Sequence, residues 1–136
     1  MNSLPIGVFD SGIGGLTVVN AIQKHLPNEE LGYVGDTARV PYGSRRPGTV
    51  IDYATQIATY LEDTGVKEIL IACNTASAVA LEVVAAQTSL PVSGVIVPGA
   101  EAAVELNESG PIGVIATRAT ITSGAYQNAI QQLRIV

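Results

Sequence analysis

Short apolar runs and helical patterns alternate along this chain from one end to the other, and that alternation restricts the fold more than any other feature. Residues 6–9, 31–35, 67–72, 92–97 and 112–116 are rich in β-branched and apolar side chains. They are too short and too unbroken for amphipathic helices, and they read as buried strands. Between them the apolar positions move to helical spacing. Leu16, Val19, Ile22 and Leu26 line one face over residues 16–25, and Val50, Ala54, Ile57 and Leu61 line another. Thr49 is placed to cap that second helix and Gly65 to end it. A third helix begins near Ala76 and is stopped by Ser89-Leu90-Pro91. A fourth covers residues 100–106, and Thr117-Arg118-Ala119-Thr120 opens a last one running through residue 133. Repeated βα units predict an α/β protein: a doubly wound, mostly parallel sheet with right-handed crossovers.

The side chains available for a core agree. Apolar residues make up 47% of the 136, aromatic residues only 4%, and there is no Trp. The interior must therefore be built from Val, Ile, Leu and Ala, which suits parallel strands covered on both faces. A net charge of -5 and a pI near 4.6 argue against nucleic acid or an anionic membrane as a partner. One cysteine cannot form an internal disulfide, and one histidine makes a multi-ligand zinc site implausible. No apolar run approaches the ~20 residues that span a bilayer. Met1 leads into a strand without a signal-like segment, so the expectation is a soluble, cytoplasmic protein. The sequence stops on Leu133-Arg134-Ile135-Val136 with neither cap nor receiving strand, as a chain cut short would.

Ligands of open α/β sheets bind beyond the carboxyl ends of the strands. This chain places Asp10-Ser11, Asp36-Thr37 with Pro41-Tyr42-Gly43, Cys73-Asn74-Thr75, and Thr117 with Thr120 there. Cys73 follows a predicted strand directly and precedes a predicted helix. A thiol in that place meets unpaired N–H groups and the positive end of the helix dipole, both of which favour the reactive thiolate. The competing reading is a small buried hydrophobe. The Asp10-Ser11-Gly12-Ile13-Gly14-Gly15-Leu16-Thr17 loop is not a dinucleotide fingerprint, because Thr17 holds the third glycine position, and no Gly-Lys-Ser/Thr makes it a P-loop. Its glycines either expose N–H groups to an anion or form a tight turn with Asp10 as helix cap. Tyr42 either presents its hydroxyl to a ligand or anchors its loop, and Gly43 offers an unobstructed N–H. Arg45-Arg46 reads as a solvated helix-flanking pair, His25 as a cation at a helix end, and Tyr53 and Tyr60 as packing or rim residues.

Taken together these segments resemble glutamate racemase, of the cofactor-independent aspartate/glutamate racemase superfamily. The matching residues are Phe9-Asp10-Ser11-Gly12-Ile13-Gly14-Gly15-Leu16-Thr17, Gly35-Asp36 with Pro41-Tyr42-Gly43, Ala72-Cys73-Asn74-Thr75-Ala76-Ser77, and Gly113-Val114-Ile115-Ala116-Thr117. The resemblance implies interconversion of L- and D-glutamate, supplying D-glutamate for peptidoglycan, by two opposed cysteine bases and without any cofactor. Cys73 matches the base that acts on the D-enantiomer, and Asp10 the acidic residue that manages its proton. Ser11, Tyr42, Gly43, Asn74 and Thr75, with Asp10, match the substrate-binding groups. No lysine has the context of a Schiff-base lysine, in keeping with a cofactor-free reaction. The resemblance leaves a homodimer open.

The family pattern is about twice this length, and its second cysteine lies in a Cys-Thr-His segment that this sequence does not contain. It implies that residues 1–97 form most of a first α/β domain and residues 98–136 begin a second, with activity of the 136 residues alone not expected. Two other classes fit the residues: a flavodoxin-like module that binds a small carboxylate without catalysis, and a one-base enzyme with Cys73 as nucleophile. The latter wants a nearby histidine, and His25 is expected at the wrong end of its helix.

Overall fold

The computed structural model describes residues 3–135; Met1, Asn2 and Val136, at the outer ends of the two expected domain ranges and of the apolar terminus, lie outside it. Four strands form the sheet: β1 (Ile6–Asp10), β2 (Leu31–Gly35), β3 (Glu68–Ile71) and β4 (Val92–Gly94). They are all parallel, in the order β2-β1-β3-β4. Phe9 of β1 stands beside Val34 on one side and Ile71 on the other. Helix α1 (Leu16–His25) follows β1, α2 (Pro47–Thr64) follows β2, and α3 (Asn74–Gln87) follows β3.

The strand order changes direction after β2, so right-handed crossovers must put α1 on one face and α2 and α3 on the other. The packing agrees. Ile6 and Val8 meet Val18, Val19 and Ile22 of α1 on one face. Phe9, Ile69 and Ile71 meet Val50, Ala54, Ile57 and Leu61 of α2 and Ala76, Ala80 and Val84 of α3 on the other. All five residues of β1 are buried, as a strand covered on both faces requires. The doubly wound α/β reading holds, and the place where the winding reverses lies between the carboxyl ends of β1 and β3.

Several boundaries differ from the sequence reading. Helix α2 begins at Pro47, with Arg46 as its N-cap and no side-chain cap bond, so Thr49 lies inside the helix. Proline suits that position because its fixed φ is helical and its missing N–H would be unpaired there anyway. Gly65, at φ 84°, ends α2 as expected. β4 stops at Gly94, and Ile96 and Val97 belong instead to α4 (Ile96–Leu106); Pro98 is compatible with a first helical turn.

Residues 112–116 form no strand. The pattern is strand-like, with Ile112 and Val114 half-buried and Ile115 fully exposed, but no neighbouring strand among the described residues accepts its hydrogen bonds. The expected last helix is two, α5 (Arg118–Ser123) and α6 (Ala125–Ile135), separated where Gly124 takes φ 70°. That left-handed conformation ends a helix at little cost only in glycine. Among the described residues no helix is long and apolar enough to cross a membrane.

Candidate active site

The turn after β1 wraps the Asp10 carboxylate. Asp10 is buried, its Oδ1 accepting the Ser11 N–H at 2.8 Å and its Oδ2 the Gly15 N–H at 2.8 Å. Gly15 is required by closeness. A Cβ there would stand 2.7 Å from Asp10 Cβ and 3.0 Å from Ala72 Cβ, below any ordinary carbon contact. Gly15→Ala is therefore expected to lower stability by about 1–3 kcal/mol, the usual range for overpacking a fitted site. Urea unfolding checks it, and an unchanged midpoint would show that the turn yields freely.

Across the switch point, Cys73 is the N-cap of α3 with extended backbone (φ -91°, ψ 124°). Its sulfur accepts the Ala76 N–H at 3.4 Å, and the thiol points to Ser11 Oγ at 3.5 Å. Ser11 Oγ in turn lies 3.5 Å from Asp10 Oδ1. A line of exchangeable protons thus runs from the thiol through a hydroxyl to a buried carboxylate. The Tyr33 hydroxyl donates to Gly12 O at 2.9 Å and closes the other side of the turn. Its pKa is raised by burial, and further by the negative charge of Asp10 and Cys73 nearby.

The loop after β2 is tied down by its polar residues. Asp36 takes the Tyr42 hydroxyl and, at 2.7 Å, the Arg39 Nε–H. Arg39 also donates to Gln56 Oε1 at 2.7 Å, and its guanidinium lies 4.1 Å above the Tyr53 ring. Tyr53 and Tyr42 meet with ring centroids 5.6 Å apart. Burial, then the bond to Asp36 and its charge, push the Tyr42 pKa strongly upward, so the hydroxyl stays a donor. Tyr42 is only 1% exposed, and its ring and hydroxyl are both committed to holding the loop. Arg45 reaches Arg39 O and lies over Tyr53; Tyr60 is exposed.

The anchored loop carries Gly43 onto α5. Gly43 O accepts the Ala119 N–H at 3.1 Å, and a Cβ on Gly43 would fall 2.5 Å from Thr117 Cβ. Only glycine permits that approach. Three threonine hydroxyls gather beside it. Thr75 Oγ1 lies 2.8 Å from Thr117 Oγ1 and 3.4 Å from Thr120 Oγ1, and Thr117 and Thr120 are 3.0 Å apart. Asn74 stands exposed at the first turn of α3, its Oδ1 accepting the Tyr126 hydroxyl of α6. Asn74, Thr117, Thr120 and Tyr126, with residues 112–116, border a cleft of about 440 Å³.

The fold thus brings Asp10, Ser11 and Cys73 into one line and puts Asn74 on the cleft with Thr117 and Thr120, while Thr75 is buried behind those two threonines and Gly43 packs against Thr117. Sequence reasoning missed Arg39, Tyr33 and Tyr126. Arg39 had a signal in its three-residue spacing from Asp36. Tyr33 and Tyr126 had none, since their partners lie 21 and 52 residues away.

A parallel sheet with a thiol joined through a serine hydroxyl to a carboxylate at its switch point fits an acid–base enzyme acting on a small polar substrate. The Asp/Glu/Hydantoin racemase family model matches residues 15–136, and the chain belongs to that family. Within it the similarity is to glutamate racemases. The glutamate racemase of Picosynechococcus sp. is 52% identical over 126 residues, 93% of this chain and 44% of that protein. The solved structure of the glutamate racemase from Aquifex pyrophilus superposes with a TM-score of 0.92 at 49% identity, over 95% of this chain and 51% of that one. The Francisella tularensis enzyme, solved with D-glutamate, gives 0.89 at 47% identity, over 97% and 49%. The chain spans about half the length of these relatives.

Proposed function

We propose that this chain supplies one half of a cofactor-independent glutamate racemase site, with Cys73 as the base for one enantiomer. The observation that carries the reading is the line Cys73 Sγ–Ser11 Oγ–Asp10 Oδ1, at 3.5 Å per step, at the mouth where α/β sheets bind ligands. The thiolate takes the α-proton of D-glutamate. The Cα–H bond breaks, its electron pair moves into the α-carboxylate as an enediolate, and the proton ends on sulfur. Return of a proton to the opposite face of Cα gives L-glutamate. That proton comes from a second cysteine in the half of the relatives' length not spanned here, carried by a second α/β domain that begins near Pro98. Ser11 and Asp10 relay the thiol's proton. Asn74, Thr75 and the Gly43 N–H hold the carboxylates, where fixed donors stabilise charge as it develops. The product role is D-glutamate for peptidoglycan in the bacterial cytoplasm.

Tyr42 has a different part in this reading from that of a direct contact. Its buried ring and Asp36-bound hydroxyl present the Gly43 backbone, so Tyr42 serves the substrate through the loop.

Titration of ¹⁵N-labelled chain with D-glutamate tests the proposal. Amide shifts are expected at Ser11, Gly43, Asn74, Thr75 and Thr117, and smaller ones with lactate, which lacks the second carboxylate. Equal responses to both acids, or shifts elsewhere only, would favour a general carboxylate module.

A further inference from the structure

Tyr126 has no part in the chemistry described above, yet its hydroxyl reaches from α6 to the exposed side chain of Asn74, next in the chain to Cys73. We propose that Tyr126 is a positioning residue: it fixes the Asn74 amide by donating to Oδ1, so that the Asn74 Nδ2 hydrogens face the cleft as donors. The inference rests on the racemase reading for the identity of the acceptor, a substrate carboxylate, but the Tyr126–Asn74 link can be measured without it.

Three features support the assignment. The Asn74 side chain is exposed at the first turn of α3, where nothing else among its described contacts holds its rotamer. An amide free to turn offers a carboxylate its oxygen as readily as its N–H groups, and the wrong orientation repels. Occupying Oδ1 with a hydroxyl proton removes that ambiguity. Second, a tyrosine hydroxyl is a donor at neutral pH, and burial raises the Tyr126 pKa further. Third, α4 makes room for the ring. A Cβ on Gly99 would stand 3.1 Å from the Tyr126 hydroxyl oxygen and 3.2 Å from Cε1. Glycine within a helix is otherwise unfavourable relative to alanine, so the space it leaves for Tyr126 gives it a purpose there. Tyr126, Gly99 and Asn74 come from three different helices and meet at the border of one cleft.

The test uses the full chain and two variants, Tyr126→Phe and Gly99→Ala, read by the side-chain NH₂ resonances of Asn74. In the wild type the pair should be well separated and shifted from free-amide values. Tyr126→Phe removes only the hydroxyl and should collapse the pair toward the free-amide position. Gly99→Ala retains every polar group, yet it should move the signals the same way by displacing the ring. D-Glutamate should bind about three- to tenfold more weakly to Tyr126→Phe, the loss of roughly one hydrogen bond's worth of ordering. In an Asn74→Ala background the same substitution should cost nothing further. Asn74 resonances unchanged by Tyr126→Phe, or an equal affinity loss in both backgrounds, would overturn the proposal. If the wild type does not bind D-glutamate while the Asn74 signals still respond to Tyr126→Phe, this half does not hold the substrate by itself and the positioning link stands.

Discussion

Cys73→Ser, in this chain completed with the remaining half of a glutamate racemase relative, is expected to lower racemisation by about 10²–10⁴-fold, the range that a positioned base contributes. The fold should not suffer. Cys73 is the N-cap of α3, and its sulfur accepts the Ala76 N–H and points to Ser11 Oγ. A serine oxygen can make both bonds, and serine is a favoured N-cap in its own right. The loss would therefore be chemical. A hydroxyl holds its proton far more tightly than a thiol, so the population able to take an α-proton nearly vanishes at neutral pH. Urea unfolding alongside steady-state kinetics separates the two effects. A Ser variant that turns over at near wild-type rate would return Cys73 to a buried structural thiol.

Asp10→Asn makes a useful contrast, because the structure gives Asp10 two duties. Both carboxylate oxygens accept backbone N–H groups, from Ser11 and Gly15. An amide can accept on one side only and sets its NH₂ against an N–H on the other. The substitution should cost stability as well as turnover, and kcat should fall more than substrate affinity, since Asp10 reaches the thiol only through Ser11. Stability loss with unchanged kcat would leave Asp10 as the cap of its turn and nothing more.

What could be read from the sequence, and what could not, follows from how far each signal reaches along the chain. The parallel sheet was legible because short apolar runs such as residues 6–9 and 69–71 are buried or half-buried on both faces and carry the pattern locally. The placement of Cys73, Asp10 and Ser11 was legible because they sit just past such runs, and the strand order β2-β1-β3-β4 brings those two strand ends side by side. The segment 112–116 was misread as a paired strand because periodicity reports only what a segment would bury. Pairing needs a neighbour, and no described strand lies beside it. The break at Gly124 was missed since a single glycine in a helical pattern is often tolerated; here its positive φ ends α5. The two readings of Tyr42 could not be separated from sequence, because both need the same residue in the same loop. Its burial and its bond to Asp36 depend on a fold the local pattern does not encode.

A polypeptide of these 136 residues, incubated with D-glutamate, should leave the ellipticity of the solution unchanged. Racemisation needs a proton donor on each face of Cα, and this sequence has one cysteine. Residues 112–116, which border the cleft with Asn74, are apolar apart from Gly113 and carry no acid or base. Ile115 there is fully solvent-exposed. An open cleft also admits water, which weakens the fixed dipoles that would stabilise an enediolate. What one base can do is remove a proton and return one to the same face. In D₂O this predicts slow exchange at Cα of D-glutamate with retention of configuration, visible by proton NMR as loss of the α signal, and absent in Cys73→Ala. Exchange without inversion would place Cys73 on one face of the substrate and leave the opposite face without a base. Loss of ellipticity at an enzyme-like rate, abolished by Cys73→Ala, would mean that a single thiol with the Ser11–Asp10 line suffices for both faces, and the two-base reading would have to be given up.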